Sequence, residues 1–404
     1  MTAVPVATRI ATAEDALRVA AELAAGFAVD AGRRDAERGL PHEQVRQLAA
    51  SGLLAVTVPA EYGGADVPFE TVAEIFRLLA EADPSIGQIP QSHFTFLEAL
   101  RTQADPGQQR FFYDKVLDGM LLANAQSERG PHPINVDTTV LTREGADYRL
   151  TGRKFYSTGA LFADWILVRA SLFEGPGEPD ATTGKAIAFV PRDADGVTVV
   201  DDWDGMGQRT TASGTVTLEH VAVPASSVVP YSAIFAGPTT YGAQAQLVHA
   251  AIDVGIATGA LREGVVQAGK ARPHFEANVE RTVDDPLLVQ VAGEATVTVR
   301  AAQALLSVAA RSVDAARADP TAESTAAASI DVATAKVAAA RAAVEAANVL
   351  FELGGTRSAS GAANLSRYWR DARTHTLHDA TRWKLQHIGR WTLSGTHPPR
   401  HGVL

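Results

Sequence analysis

A chain of 404 residues, 46% of them hydrophobic, has enough apolar material for a large core spread over two or three structural units. Its formal net charge of -10 argues against a nucleic-acid partner, because binding a phosphate backbone depends on basic stripes that release counterions. The absence of cysteine excludes disulfides, thiolate metal sites, iron–sulfur clusters and thiol nucleophiles, so any redox chemistry rests on a bound cofactor.

No apolar run reaches membrane-spanning length, and the opening MTAVPVATRIATAEDALRVA has neither a signal-peptide core nor a cleavage pattern, so the expected setting is the cytoplasm, away from membranes. Residues 12 to 118 read as helical: AEDALRVAAELAAGFAVDAGRRDAE, then PHEQVRQLAASGLL with Pro41 suited to a first turn, then FETVAEIFRLLAEAD. From 120 to 230 short β-rich runs take over, among them MLLANAQ, DYRLTG, DWILVRA, KAIAFV and SGTVTLEHVAV, and they predict a small antiparallel β-domain. FEGPGEPDATTG within it is a solvated loop. From 240 onward alanine-rich helical segments return, with breaks at Pro320 and Gly354-Gly355, and predict a four-helix bundle. The expected class is therefore α+β: an N-terminal helical domain over 1–119, a middle β-domain over 120–232 and a C-terminal helical bundle over 233–404. A β-domain between two helical ones leaves a cleft suited to a planar cofactor.

Four segments carry candidate chemistry. In LLANAQSERG a hydrophobic strand runs into Asn124, Gln126, Ser127 and Glu128, whose polar groups could bond a heteroaromatic edge, though an ordinary polar strand end reads the same. LTGRKFYSTGALFADWILV holds Phe155, Tyr156, Ser157 and Thr158 before Gly159, by itself a turn between strands. WDGMGQRTTASGTVTLEHVAVP, starting at Trp203, is a Gly-rich turn feeding a strand. In RDARTHTLHDATRWK, His375 and His378 are three apart and would share one helix face, open to metal, acid/base or plain structural use. A metal would need further ligands, and Asp379 lies about 100° around a helix from His378, which disfavours it. No G-x-G-x-x-G follows a strand, so no nicotinamide site is expected.

In this order, the segments resemble the acyl-CoA dehydrogenase superfamily, whose middle domain carries a Thr/Ser-Glu flavin strand, a G-x-K-x-x-x-(S/T) strand and an MG-x-R-x-(S/T) strand ending in V-x-VP. The resemblance covers nearly the whole chain. YWRDAR (368–373) fits the classical dehydrogenases, but THTLHDAT replaces their Y-E-G-T, and Asp379 stands where their catalytic Glu stands. T-H-T-L-H-(D/N) resembles instead the flavin monooxygenase branch of dibenzothiophene monooxygenases and sulfur-acquisition oxidoreductases.

That resemblance implies a pocket over the flavin formed by His93 (in QSHFTF), Asn124, Thr158 and His378. Leu97 replaces the Tyr of the dibenzothiophene enzyme, so the substrate pocket is expected to differ. It assigns flavin contacts to Asn124, Ser127, Tyr156, Ser157, Thr158, Trp203 and Asp379. Phosphate contacts go to Gly355, Thr356 and Arg357 of GGTRSAS, and to Arg272 of KARPHF, which reaches a flavin in a neighbouring subunit. Since the R-x-Q-F-G of FAD-binding dehydrogenases is missing, FMN is the expected cofactor; an Arg fork suits a terminal phosphate. The implied function is a two-component monooxygenase in which O2 adds at carbon 4a of reduced FMN and the resulting hydroperoxide oxygenates a small organosulfur compound or an amine nitrogen. Its implied partners are a separate NAD(P)H:flavin reductase and three further copies of itself in a homotetramer. The rival reading is a FAD-dependent acyl-CoA dehydrogenase or nitroalkane oxidase with Asp379 as base; a flavin-storing protein is a third.

Overall fold

The computed structural model describes residues 7–404; the first six residues of the expected N-terminal domain lie outside the described part. Helix α1 (Ala13–Glu37) starts at Thr12, whose side chain accepts the Asp15 N–H, and turns off at Arg38 in the left-handed region. Its buried stripe is Ala16, Ala20, Ala24, Phe27 and Ala31, in which the alanines allow close approach to α3 (Phe69–Ala82) and Phe27 fills the core. Between these two lies α2 (His42–Ala50), and α4 (Pro84–Gln88), α5 (Gln91–Gln103) and α6 (Pro106–Leu117) complete this part. Asp83 caps α4 and pairs with Arg34 of α1 at 2.9 Å, both side chains buried.

Eight strands follow: β1 (Leu122–Ala125), β2 (Val140–Glu144), β3 (Asp147–Lys154), β4 (Trp165–Leu172), β5 (Lys185–Pro191), β6 (Val197–Val200), β7 (Thr215–Val223) and β8 (Val228–Pro230). They run in the order β6-β7-β3-β2-β4-β5-β8, with β1 also on β4. The sheet is mixed, which corrects the antiparallel expectation. β1 pairs parallel with Trp165–Val168 of β4, and β2 pairs parallel with its Ser171 and Leu172. The chain thus follows one edge of β4 as an interrupted strand, detouring over residues 126–139 without reversing direction.

That detour is anchored from below by Lys154, which is wholly buried. Its ammonium meets Glu128 Oε1 at 2.7 Å and Asp137 Oδ1 at 3.0 Å, and donates to Gln126 O. Arg169 and Lys185 close on the other Asp137 oxygen. Burial alone would raise both carboxyls, but the facing cations hold each down to about 2.

The last part contains α7 (Tyr241–Ala268), α8 (Pro286–Ala318) and α9 (Ala322–Gly354), with the short α10 (Ser366–His375) on α7 and α9, and α11 (Thr381–Ser394) on α9. α7 is buried on nearly every side because α3 covers the face that the bundle leaves open, so the two helical parts share one apolar core with the sheet. None of the helices among the described residues is long and apolar enough to cross a membrane.

Candidate active site

The polar end of β1 meets two loops of the β-domain. Asn124 donates from its main-chain N–H to Thr158 O (3.4 Å) and from its side-chain amide to Tyr156 O (3.3 Å), while its own Oδ1 accepts from Gln126. Tyr156 sits at φ 55°, a left-handed conformation unusual for a bulky residue, and this sharp turn presents Ser157 and Thr158 next to the strand end. Ser127 secures the turn through Phe155, whose N–H donates to Ser127 O at 2.8 Å. The Tyr156 ring stands edge-on to Trp203 at 6.3 Å, with the Arg129 guanidinium 4.7 Å over its other side.

A row of hydroxyls fixes Thr158. Thr211 Oγ1 donates to Gln208 O, Ser213 Oγ lies 2.8 Å from Thr211 Oγ1, and Thr158 Oγ1 lies 2.7 Å from Ser213 Oγ. A carbonyl at the inner end only accepts, so each hydroxyl donates inward. Thr158 therefore spends its hydrogen on Ser213 and offers only lone pairs to a ligand. Ser157 Oγ, buried alongside, has no partner.

The loop bearing these hydroxyls is docked on α10. Gln208 N–H donates to Asp371 Oδ1 at 2.6 Å, Arg370 donates to Met206 O, and Trp203 Nε1 donates to Gln208 O. A Cβ at Gly207 would lie 2.0 Å from Arg370 O, so only glycine permits this approach. Asp371 is buried, and burial, reinforced by the Asp35 and Asp83 charges, pushes its carboxyl up to about 7.

α10 ends at His375, so His378 and Asp379 lie in the turn before α11 rather than on the helix expected to carry all three. Thr374 and Thr376, β-branched on either side of His375, favour this exit, and the hydrogen bonds tighten to Leu377 N–H on Thr374 O and His378 N–H on His375 O. His375 turns inward to Asp253 and His249, whereas His378 stays 41% exposed, its ring stacked on His249. Asp379 is nearly buried, with Lys384 Nζ at 3.1 Å and His378 Nδ1 at 3.8 Å. Burial opposes its charge, but His378, Lys336 and Lys384 outweigh this and hold its carboxyl well below the ordinary range. Neither oxygen receives a well-aligned hydrogen bond.

His93 takes a different place from the expected one. It is fully buried in α5, its Nε2 donating to Leu54 O at 2.8 Å and its Nδ1 accepting from Leu122 N–H at 3.1 Å. Both nitrogens are committed to main chain, and burial lowers its pKa to about 4. The ring is a neutral strut between α5 and β1, two residues before Asn124, with no nitrogen left for the flavin.

The phosphate candidates form a second group. Gly355 adopts φ 61° and opens the loop through Thr356 to Arg357, which donates to Lys270 O and so sits beside the segment of Arg272; Gly355, Thr356, Arg357 and Arg272 are all exposed. From His249 to the end of α7 the helix rises about 28 Å.

Sequence reasoning passed over His249, Asp253 and Lys336. The available signal was a His and an Asp four apart in the otherwise apolar QLVHAAIDVGIA and a lone Lys in IDVATAKVAAA. Thr211 and Ser213, in the Gly-rich turn after Trp203, carry no spacing signal of their own and join the site only through the hydroxyl row.

Family models for the acyl-CoA dehydrogenase N-terminal, middle and C-terminal domains match residues 12–120, 122–221 and 247–383. Dibenzothiophene monooxygenase of Mycolicibacterium goodii is 31% identical over 396 residues, 95% of each chain. The probable FMNH2-dependent monooxygenase SfnC of Pseudomonas putida is 31% identical over 393 residues, 95% of this chain and 96% of its own. The FMN-bound crystal structure of TdsC from Paenibacillus sp. A11-2 superposes with a TM-score of 0.90 at 32% identity, covering 96% of this chain and 100% of TdsC. Matched along nearly its whole length in sequence and in fold, the chain belongs to the acyl-CoA dehydrogenase family, in its flavin-dependent monooxygenase branch.

Proposed function

We propose that this protein is the oxygenase component of a two-component flavin monooxygenase, using reduced FMN and O2 to oxygenate a small organosulfur compound. The observation that carries the choice is Asp379. A carboxylate locked as an ion by Lys384 and His378 is a weak base, ill suited to removing a carbon-bound proton as the dehydrogenase and nitroalkane-oxidase readings require. His378, part-exposed and held flat by His249, is the group presented instead.

The residues fit a flavin. Ser157 Oγ is buried without a partner, Asp379 Oδ1 receives no hydrogen bond, and Thr158 can only accept, which suits ring N–H groups, including the one that reduced flavin carries and oxidised flavin lacks. When bound, reduced FMN supplies the two electrons that activate O2, one oxygen atom leaving in the product and the other as water. Asn124 would orient the ring edge, and Tyr156 and Trp203 would flank it. His378, part-exposed and with a ring nitrogen that can both accept and donate, is placed to take up a proton and return it to the departing oxygen.

The same reading includes a homotetramer in which Arg272 and Arg357 of another copy meet the phosphate. The separation of the two groups along α7 supports this, as do the apolar side chains that α8 and α11 expose, Leu287, Val297 and Leu393 among them. A separate NAD(P)H:flavin reductase supplies the reduced cofactor, and a cytoplasmic setting goes with it. The test is to mix protein and chemically reduced FMN with oxygenated buffer and an aryl sulfide. Oxygenated product should account for most of the reduced flavin, and His378→Ala should divert it to hydrogen peroxide. Peroxide alone from the wild type, with bound FAD reduced by an acyl-CoA or a nitroalkane, would overturn the proposal.

A further inference from the structure

Behind His378 the bundle buries a line of polar groups that neither the ring contacts nor the phosphate loop uses. His249 and Asp253, four residues apart, project from one face of α7. His249 is 2% exposed, His375 and Lys336 1%, and Asp253 not at all. Lys336 Nζ stands 2.7 Å from Asp253 Oδ2, and Asp253 Oδ1 lies 2.5 Å from His375 Nδ1. His375 Nε2 lies 3.1 Å from His249 Nδ1, and the His249 and His378 rings stack with centroids 3.8 Å apart and planes 33° from parallel.

Proton positions follow from the inner end. Burial opposes the Asp253 charge, but the Lys336 ammonium, helped by the hydrogen bond from His375, prevails and keeps it ionised. An ionised carboxylate only accepts, so His375 carries its hydrogen on Nδ1. Burial keeps His375 and His249 neutral, the Lys336 charge adding to the effect in both. A neutral His375 then has a bare Nε2, which accepts the Nδ1–H of His249. That leaves His249 Nε2 as a lone pair, and no hydrogen bond reaches it among the described residues.

We propose that Lys336, Asp253, His375 and His249 form a proton-holding relay behind His378, with His249 Nε2 as its mouth, that borrows one proton during oxygen transfer and then returns it. The inference rests on the oxygenase reading. A proton given up by the imidazolium of His378 and carried across by a water to His249 Nε2 releases the Nδ1 proton to His375 Nε2. His378 is left neutral, and the positive charge comes to rest on His375 against Asp253 until the proton runs back the same way. In net terms only N–H bonds form and break. The overall reaction, reduced FMN, O2 and sulfide giving FMN, water and sulfoxide, has no net proton, so the borrowed one must go back. A cluster that merely satisfied a buried Lys–Asp pair would need neither histidine, since further buried polar groups cost stability. Within the relay His249, His375 and Asp253 are positioning residues that act through His378.

The first readout needs no flavin: spectra of protein labelled with ¹⁵N in its imidazoles, near neutral pH. His375 and His249 should both carry hydrogen on Nδ1 with bare Nε2, and a low-field proton should mark the bond to Asp253. Asp253→Asn should remove that resonance and shift both rings toward the Nε2–H form. The second readout is His249→Phe, which keeps a ring stacked on His378. Product per reduced FMN should fall about tenfold, with peroxide rising to match, while FMN affinity changes less than about twofold. Hydrogen on His249 Nε2 in the wild type, or full product yield from His249→Phe, overturns the relay. Should the wild type yield no oxygenated product from any sulfide, the oxygenase reading fails, and the imidazole spectra alone decide the relay.

Discussion

Asp371 holds the loop that carries the Thr158 hydroxyl row, and its titration makes that hold dependent on pH. Its carboxyl rises from 3.8 to about 7, first through burial and then through the Asp35 and Asp83 charges, against the pull of the Gln208 N–H and of Arg367. Between those two pH values the folded protein keeps a proton that the unfolded chain has released. Stability therefore falls as pH rises through that window and levels off above about 7. The full window corresponds to about 4 kcal/mol. Asp371→Asn stays neutral throughout and retains an oxygen to accept the Gln208 N–H. Urea denaturation of both proteins from about pH 4.5 to 8 should show the variant gaining roughly 3 kcal/mol on the wild type, every other titrating group cancelling in the difference. Stability curves that run parallel across the range would refute the reasoning and assign the Gln208 contact to an ordinary ionised carboxylate.

Lys154→Met should strand Glu128 without a cation and cost about 3–5 kcal/mol by chemical denaturation; because both carboxyls are held low in the fold, the loss should shrink as pH falls toward about 2. Thr158→Val should leave the circular dichroism unchanged and lower product per reduced flavin roughly tenfold, since a methyl cannot accept from the ring. Arg357→Ala and Arg272→Ala should each weaken FMN binding about tenfold or more by titration calorimetry, as loss of a charge-assisted bond to phosphate requires. If, as proposed, the phosphate is held by another copy, mixed oligomers of Arg357→Ala and His378→Ala should give more product at limiting FMN than either parent alone.

The three-part architecture was legible because each part repeats a strong local signal: helical spacing with capping residues at both ends, and strand runs cut by turns between them. Strand direction was not. Whether β1 and β2 run parallel to β4 depends on the route of residues 126–139, and that route is fixed by Lys154, Glu128 and Asp137, which meet only in the fold. Tyr156, Ser157 and Thr158 are neighbours in one turn, but Asn124 and Trp203 reach them only in the fold, through the Asn124 amide on Tyr156 O and the Tyr156–Trp203 ring contact. His93 shows the limit of motif reading, for a histidine at the right position spends both nitrogens on main chain. His249, Asp253 and Lys336 were missed because the partners of the α7 pair, Lys336 and His375, come from α9 and α10, and a polar residue in an apolar helix reads as an exception until its partner is seen.

Whether this chain moves an oxygen atom from O2 onto sulfur is read out by isotope labelling. Protein, chemically reduced FMN and an aryl sulfide are mixed under ¹⁸O2 and the sulfoxide is weighed by mass spectrometry. One ¹⁸O atom is expected in each sulfoxide, at a yield that depends on His378. Sulfoxide carrying oxygen from water, or labelled hydrogen peroxide as the sole product, would contradict it.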